Sequence, residues 1–345
     1  MQFIDLPKLN PGDKVAILSP SSDAASYFPW VLDRGIDRLK SEFHLIPVEY
    51  PTTRKKSPSP KDRAQDVMAA FYDEEIKAIF TSIGGNDQVR LLSYLDSNII
   101  KNNPKPFMGY SDNTNISQYL WNLGIPSYYG GALMVQFAMP GASILESTAE
   151  SIRRALFDKG TYPIKPSNEF TDIELEWGDK DNLGKNRTFE KNEGWYWDGV
   201  GSATGILWGG CVETLVQYLS AGNPTPNFAD TNIILFLETA EDIPDHWVVD
   251  ILLTSLGERG ILEHTDAVLV GRPKAWEFTK RLTYEGRAVY REMQRNSVLS
   301  AVRKYRIKIP IVQNLDFGHT DPQIIVPAGQ KAFIDSSSQS IQFNY

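Results

Sequence analysis

Short apolar runs alternate with stretches of helical periodicity along the first half of the sequence, and this alternation constrains the fold more than any other feature. Residues 15–18 form the first run, and Leu32, Ile36 and Leu39 then share one face of a predicted helix. The pattern continues with a helix after Pro60 and with strands at 44–48, 78–83, 106–110 and 125–129. Such alternation predicts parallel strands joined by right-handed helical crossovers, with ligands beyond the carboxyl ends of the strands. The expected fold class is therefore α/β, with an open parallel sheet in the N-terminal part.

The pattern changes after this region. From about residue 163 to 199, charged and aromatic residues alternate without a period, which predicts a linker or a lid loop. Trp177, Trp195 and Trp197 favour a lid, although the same rings could simply pack the linker against its neighbours. Strands and helices then resume, and short strands near the C-terminus indicate a mixed α+β domain. We therefore predict three regions, at 1–162, 163–199 and 200–345.

Composition narrows the class of protein. No apolar run approaches the roughly 20 residues that span a membrane, and the N-terminus lacks the layout of a secretion signal. With a single cysteine, Cys211, these features lead us to expect a cytoplasmic protein without a membrane partner, a disulfide or a cysteine-rich zinc site. A net charge of −8 disfavours a nucleic-acid partner, because such proteins concentrate lysine and arginine on one face.

Ser111 lies at a predicted strand-to-helix corner, between the run 106–110 and an amphipathic helix. A sharp turn of this kind lifts a serine Oγ clear of the sheet and directs the first N–H groups of the helix at the atom under attack. Hydrolases present a nucleophile in this way. The alternative is that Ser111 or Asp112 only caps the helix, since both residue types are favoured at N-caps.

A serine nucleophile needs a base and an acid that orients the base. Of the four histidines, His44, His246 and His264 fit ordinary roles in a strand or at helix ends. His319 differs because it follows a strand and a glycine on a turn, where side chains converge on clefts. Glu238 ends a run of five apolar residues, where a carboxylate is costly without a partner. These two are the candidate base and acid, and a purely local hydrogen-bonding role is the alternative for the histidine.

Gly84 and Gly85 lie at a second predicted strand-to-helix corner. Glycine lets backbone N–H groups approach a substrate closely, so this corner could stabilise an oxyanion. A tight turn with an N-cap or a phosphate cradle is the alternative, although neither common phosphate-loop spacing occurs there. Cys211 is a further possible nucleophile, but its place at the start of an apolar helix fits a small buried group better.

Several motifs together resemble the serine LD-carboxypeptidase family, which includes muramoyl-tetrapeptide carboxypeptidases and microcin C immunity peptidases. They occur in the family's order and cover nearly the whole chain: Ser82-Ile83-Gly84-Gly85, Gly109-Tyr110-Ser111-Asp112, Trp208-Gly209-Gly210, Phe236-Leu237-Glu238 and Gly318-His319-Thr320-Asp321-Pro322. The segment around Trp195 and Trp197 is more similar to the microcin-immunity branch. At the position of Cys211 the family often has asparagine, which leaves the substrate contact there open.

The resemblance implies a flavodoxin-like N-terminal domain, a mixed C-terminal domain, no cofactor and no metal, and commonly a homodimer. It makes Ser111 the nucleophile, His319 the base and Glu238 the acid that orients the base. The implied oxyanion hole consists of the backbone N–H groups of Gly85 and Asp112. The implied substrate-binding residues are Gly84, Trp195, Trp197, Gly209 and Gly210.

We therefore expect a serine carboxypeptidase that hydrolyses a terminal amide bond of a small peptide conjugate. The substrate would be an aminoacyl-nucleotide of the microcin C kind or a muropeptide, and an L,D-carboxypeptidase that releases terminal D-alanine is the alternative within the family. The alternative from another class is a non-catalytic small-molecule binding protein, in which Ser111 only caps its helix.

Overall fold

The chain forms two compact units, each assembled from separate stretches of sequence. The computed structural model describes residues 2–228 and 231–345. The first unit contains residues 2–159 and 175–187, and the second contains residues 160–174 and 188–345. Within the described ranges, no helix is both long and apolar enough to cross a membrane.

Parallel strands lie side by side in the first unit, in the order β5-β4-β3-β1-β2. Their bounds are Lys14–Leu18 (β1), Ile46–Glu49 (β2), Ile76–Thr81 (β3), Phe107–Gly109 (β4) and Ser127–Tyr129 (β5). The α-helices are Ala24–Tyr27 (α1), Pro29–Phe43 (α2), Pro60–Tyr72 (α3), Ser97–Asn102 (α4), Thr114–Asn122 (α5) and Glu146–Phe157 (α6). Shorter helical turns cover Gln88–Tyr94, Ser111–Asn113, Leu133–Phe137 and Lys180–Gly184. The predicted parallel α/β sheet is therefore confirmed.

Local sequence determines where the helices of the first unit begin and end. The Ser59 hydroxyl caps α3 by accepting from the N–H of Asp62 at 3.1 Å, and Pro60 takes the first turn, where its missing N–H costs nothing. His44 ends α2 in a left-handed conformation with φ of 55°, and its side chain is exposed. The prediction that His44 belongs to a strand is wrong, because this turn delays the start of β2 to Ile46.

The second unit contains a mixed sheet in the order β6-β16-β15-β10-β11-β12-β13-β9. Neighbours from β10 to β13 are parallel, and the outer pairs are antiparallel. The strands are Thr161–Ile164 (β6), Glu169–Phe170 (β7), Glu190–Lys191 (β8), Tyr196–Asp198 (β9), Ser202–Cys211 (β10), Ile233–Glu238 (β11), Thr265–Gly271 (β12), Ile311–Leu315 (β13), Val326–Ala328 (β14), Lys331–Asp335 (β15) and Ser340–Asn344 (β16). The helices are Val212–Ser220 (α7), Trp247–Glu258 (α8) and Tyr284–Tyr305 (α9), with a short turn at Ile261–His264. The predicted mixed C-terminal sheet is confirmed.

Residues 163–199 are more regular than the sequence indicates. β6 pairs with β16 and β9 pairs with β13, at opposite edges of the second sheet. Trp177 belongs instead to the first unit, where its ring centroid lies 5.6 Å from that of Phe28 and its carbonyl accepts from Trp30 Nε1 at 3.0 Å. The expectation of a segment without regular structure misses these strands, because two to four residues carry no detectable period and depend on distant partners. A role as a lid stays a prediction.

A buried ion pair holds together two neighbouring strand ends of the second sheet. The Arg272 guanidinium donates to Asp316 at 2.7 Å, to Asn314 Oδ1 at 3.1 Å and to Thr320 Oγ1 at 3.3 Å. Asp316 also accepts from the N–H and the hydroxyl of Ser167 at 2.9 and 2.8 Å. Both charged side chains are at most 1% exposed. Removal of either partner therefore leaves a buried charge without compensation.

We predict that Asp316→Ala lowers the free energy of unfolding by about 3 kcal/mol or more, because Arg272 then stays buried and unpaired. The control is Asp250→Ala, which breaks an exposed ion pair with Lys304 and is expected to cost less than about 1 kcal/mol. Urea denaturation of the two variants measures both losses. Equal losses would contradict the structural role of the buried pair.

Candidate active site

Ser111 follows the buried strand β4 and begins the helical turn that leads into α5. Its φ is +62°, a left-handed conformation that costs a residue with a Cβ roughly 1–2 kcal/mol. Neither this turn nor α5 starts with a side-chain cap hydrogen bond, so the structure does not support the alternative that Ser111 or Asp112 caps the helix. A strained serine between a strand and a helix has the geometry of a nucleophile elbow.

We call Ser111–Asn113 the serine corner and residues 84–85 the glycine corner. The two corners are closely packed: a Cβ at Gly84 would lie 2.8 Å from Ser111 Cβ and 3.0 Å from its Oγ, so glycine is required. Gly85 is also confined, since its Cβ would lie 3.2 Å from Ser22. The N–H of Ser111 donates to the hydroxyl of Tyr129 at 3.2 Å. Backbone of the glycine corner therefore lies directly beside the serine.

Buried polar side chains lock the two corners together. The Asp112 carboxylate accepts from the backbone N–H groups of Asp87 and Gln88 at 3.0 and 2.9 Å. Burial raises the pKa of Asp112, and these hydrogen bonds oppose the increase. Gln88 Nε2 donates to Ser21 Oγ at 2.9 Å and to Asn113 Oδ1 at 2.8 Å. Sequence reasoning missed Gln88, whose only signal is its place just after the glycine corner.

Glu238 and His319 form a buried carboxylate–imidazole pair in the second unit. Glu238 ends β11 and is 1% exposed, and its Oε2 lies 2.6 Å from His319 Nδ1. Glycine at 318 leaves room for the carboxylate, and glycine at 271 lies beside the same side chain. A Cβ at Gly318, whose φ is +93°, would lie 2.6 Å from Glu238 Oε2, and one at Gly271 would lie 3.0 Å from Glu238 Cβ. The predicted acid and base are therefore in direct contact.

The charges around His319 determine its protonation. Burial lowers the pKa of His319, but the attraction and hydrogen bond of Glu238, with a smaller contribution from Glu241, outweigh burial and raise the pKa to about 9. Glu241 Oε2 lies 3.5 Å from His319 Nε2, and Lys274 acts in the opposite direction. The nearby carboxylates therefore favour the protonated imidazole, and the neutral form, which can accept a proton, becomes more populated as the pH rises toward 9.

Cys211 lies beside this pair but is not suited to attack. It is the last residue of β10, where it is paired in register with Glu238, and its Sγ donates to Glu213 Oε2 at 3.3 Å. Burial, followed by the charges of Glu238 and Glu213, raises the pKa of the Cys211 thiol. Since the thiolate is the nucleophilic form, the alternative of cysteine catalysis loses support.

The predicted substrate-binding residues of the second unit occupy three different settings. Gly209 is confined in β10, where a Cβ would lie 1.8 Å from Phe236 O, and Gly210 follows it in the same strand. Trp197 lies in β9, opposite Val312. Trp195 is half-buried, and its Nε1 is buried without a hydrogen-bond partner within the part of the chain that the structure describes. Contact of these residues with a substrate stays a prediction.

The predicted site residues therefore fall into two groups. The first unit contains Ser111, Asp112, Gly84 and Gly85, and the second contains Glu238, His319, Trp195, Trp197, Gly209 and Gly210. A strained serine at a strand-to-helix corner and a buried carboxylate–imidazole pair are the elements of serine hydrolases, and they define the class of protein.

Comparison with known families identifies the protein more closely. Residues 15–130 match the family description "LD-carboxypeptidase N-terminal domain", and residues 204–334 match "LD-carboxypeptidase C-terminal domain". The chain belongs to the LD-carboxypeptidase family and is a carboxypeptidase of the serine type, as the motifs predict.

Several known proteins are similar to this chain over nearly its whole length. The microcin C7 self-immunity protein MccF of Escherichia coli is 25% identical over 338 residues, which cover 96% of this chain and 92% of that protein. A Bacillus subtilis protein named "probable murein peptide carboxypeptidase" is 25% identical over 341 residues, with the same shares covered. Among solved structures, an MccF-like protein from Bacillus anthracis superposes with a TM-score of 0.84 at 29% identity over 98% of both chains. An MccF-like protein from Streptococcus pneumoniae in complex with AMP superposes with a TM-score of 0.83 at 27% identity, over 97% of this chain and 99% of that one.

We predict that the Glu238–His319 pair stabilises the fold most at low pH. The pKa of an unfolded histidine is about 6.5 and that of folded His319 is about 9, so the contribution is complete below the first value and is lost as pH rises through the second. Urea unfolding at about pH 6 and about pH 9.5 should show a larger loss of stability with pH for the wild type than for His319→Gln. A stability difference between the two proteins that does not change with pH would contradict the raised pKa.

Proposed function

We propose that this carboxypeptidase hydrolyses a terminal amide bond of a small peptide conjugate through Ser111, His319 and Glu238. The 2.6 Å contact between Glu238 and His319 carries the proposal, because a buried acid on Nδ1 fixes the tautomer in which Nε2 accepts a proton. The left-handed backbone of Ser111 adds support, since strain at a strand-to-helix corner serves to expose a nucleophile.

The proposed reaction starts from the neutral form of His319, and Ser111 Oγ attacks the carbonyl carbon while its proton passes to the unprotonated Nε2 of that imidazole. The negative charge on the carbonyl oxygen is stabilised by the N–H groups of Gly85 and Asp112, the latter in the first turn of a helix, where N–H groups have no intrahelical acceptor. His319 then gives the proton to the leaving nitrogen. A water molecule, activated by the same imidazole, attacks the acyl-enzyme and frees Ser111, while the contact of Glu238 with Nδ1 keeps the imidazole oriented.

For the substrate we favour an aminoacyl-nucleotide conjugate of the microcin C kind. A relative that is 25% identical over 96% of the chain is named for immunity to microcin C7, and a structure at 27% identity holds AMP. The half-buried Trp195 is an aromatic side chain of the kind on which a nucleobase stacks. We propose that Trp195 and Trp197 bind this end of the substrate, with Gly84, Gly209 and Gly210 beside the peptide end, and that residues 163–199 act as a lid.

The second candidate is an L,D-carboxypeptidase that releases terminal D-alanine from a muropeptide. It is favoured by the relative named "probable murein peptide carboxypeptidase", which is similar over 96% of this chain. The two candidates share the nucleophile, base and acid. They differ in the acyl group, which is aminoacyl in the first and a muropeptide in the second, and in the leaving group, which is the nucleotide part in the first and D-alanine in the second.

We predict that the wild type hydrolyses an aminoacyl-sulfamoyl adenosine faster than an L,D-linked tetrapeptide, and that Ser111→Ala lowers kcat/KM on either compound by roughly 10⁴-fold or more. Mass spectrometry of the released amino acid or D-alanine measures both rates. The control is Ser300→Ala, which removes an exposed hydroxyl from α9 and is expected to leave the rates unchanged.

Faster cleavage of the tetrapeptide would contradict the aminoacyl-nucleotide proposal and favour the muropeptide as substrate. Full activity in Ser111→Ala would exclude serine catalysis. A wild-type protein that binds both compounds but cleaves neither would favour the non-catalytic binding protein.

We also propose that the enzyme is a cytoplasmic homodimer, on the basis of the family resemblance and the single cysteine. Light scattering during size-exclusion chromatography is expected to give twice the mass of the chain at micromolar concentration. A mass equal to one chain would contradict the dimer without affecting the proposed catalysis.

A further inference from the structure

A second carboxylate approaches His319 at the ring nitrogen that Glu238 does not touch. Glu241 Oε2 lies 3.5 Å from Nε2, whereas Glu238 Oε2 lies 2.6 Å from Nδ1. The two acids differ in environment: the Glu238 side chain is fully buried, and that of Glu241 is 58% exposed. The first is therefore a fixed partner, and the second is free to exchange its partner for solvent or a ligand.

The loop that carries Glu241 is fixed at both ends and strained between them. At one end, the N–H of Ala240 donates to Glu213 Oε2 at 3.1 Å. At the other, the carbonyl of Pro244 accepts from Gln294 Nε2 at 2.7 Å. Ile243, between these anchors, is buried and has φ of +52°, which is a genuine outlier for a β-branched side chain. Backbone strain of this kind persists where the surroundings enforce it, and it is found at ligand clamps and switch regions.

A lysine also acts on the imidazole. Lys274, which follows β12, contributes in the opposite direction, but it is 2% exposed and paired with Glu174 at 2.7 Å. The neighbouring acid Asp242 is exposed like Glu241 and makes no contact with His319 that the structure records. Of these charged groups, Glu241 is therefore the exposed one that lies close to Nε2.

We propose that Glu241 is a positioning residue for the base, which holds Nε2 of His319 in the free enzyme and must leave that nitrogen before Ser111 can transfer its proton there. This inference rests on the proposed function, because Nε2 matters only if His319 is the base. The backbone of the loop that carries Glu241 stays fixed, since Lys280 Nζ also donates to the carbonyl of Ile243 at 2.8 Å, so the exchange needs only rotation of the exposed Glu241 side chain. A substrate that reaches the site would then compete with Glu241 for the imidazole.

The experiment is an NMR titration of His319 in protein with ¹⁵N-labelled histidine, for the wild type, Glu241→Gln and Asp242→Asn. We expect Glu241→Gln to lower the pKa of His319 by about 1 pH unit, which corresponds to a roughly tenfold larger acid dissociation constant of the imidazolium. Asp242→Asn is the matched control and should leave the value within about 0.2 pH units, because that carboxylate does not touch the ring. Glu241→Asp keeps the charge and should retain part of the effect.

The dependence of the His319 pKa on salt concentration distinguishes the contribution of Glu241 from that of Glu238. At about 1 M NaCl the Debye length falls to about 3 Å, so the exposed Glu241 contact is screened while the buried Glu238 contact is not. The pKa of His319 should therefore fall with salt in the wild type and in Asp242→Asn, but not in Glu241→Gln. A salt effect of equal size in all three proteins would overturn the inference.

The pH dependence of kcat/KM then tests whether the contact between Glu241 and His319 affects the reaction. The acid limb of kcat/KM should move to lower pH in Glu241→Gln by the same amount as the NMR pKa. An unchanged pKa in Glu241→Gln would overturn the inference whatever the activity, and so would a shifted pKa with an acid limb that stays in place. A shifted pKa in a protein that cleaves no substrate would uphold the contact and overturn the proposed function instead.

Discussion

Glu238 carries a negative charge at the end of a buried strand, and much of the second unit is arranged to accommodate it. The imidazole of His319 compensates the charge, and glycine is required at 318 because a Cβ there would collide with the Glu238 side chain. Glycine is required at 271 because a Cβ there would collide with the carbonyl oxygen of Phe317 and crowd Glu238 Cβ. Arg272 stabilises the turn that carries His319 by donating a hydrogen bond to Thr320 Oγ1. A carboxylate taken out of water costs several kcal/mol unless such partners are in place, so these residues depend on one another.

In the first unit the corresponding constraint is the left-handed backbone conformation of Ser111, which is unfavourable for a residue with a Cβ. Parallel strands end at one edge of the sheet, so the turns after β3 and β4 meet there. Asp112 and Gln88 then join these turns with hydrogen bonds that bury polar atoms fully. The strain at Ser111 is thus balanced by contacts that form only when both corners are in register.

The sequence is informative where the physical signal is local. Strands buried on both faces are continuous apolar runs, so β1, β3 and β11 could be predicted, and Ser111 and Glu238 stand out because each follows such a run. The short strand β9 could not be predicted, since its stability comes from pairing with β13 more than a hundred residues further on.

Residues whose role depends on a distant partner were missed for the same reason. Gln88, Arg272 and Glu241 look like ordinary polar residues in the sequence, and only the fold shows the first two buried and the third beside an imidazole. The motif resemblance supplied the role of His319, which its local sequence alone left open.

The interleaving of the two units has a consequence for any attempt to divide the chain. A fragment that ends at residue 159 lacks Trp177, and so exposes the rings of Phe28 and Trp30 that this residue covers. A fragment that begins at residue 200 lacks both β6 and β9, the outermost strands of the second sheet, and so presents unpaired backbone along two edges. During synthesis, too, the N-terminal half cannot be completed before part of its neighbour has emerged. This enzyme has two structural units but no position at which a single cut would separate them intact.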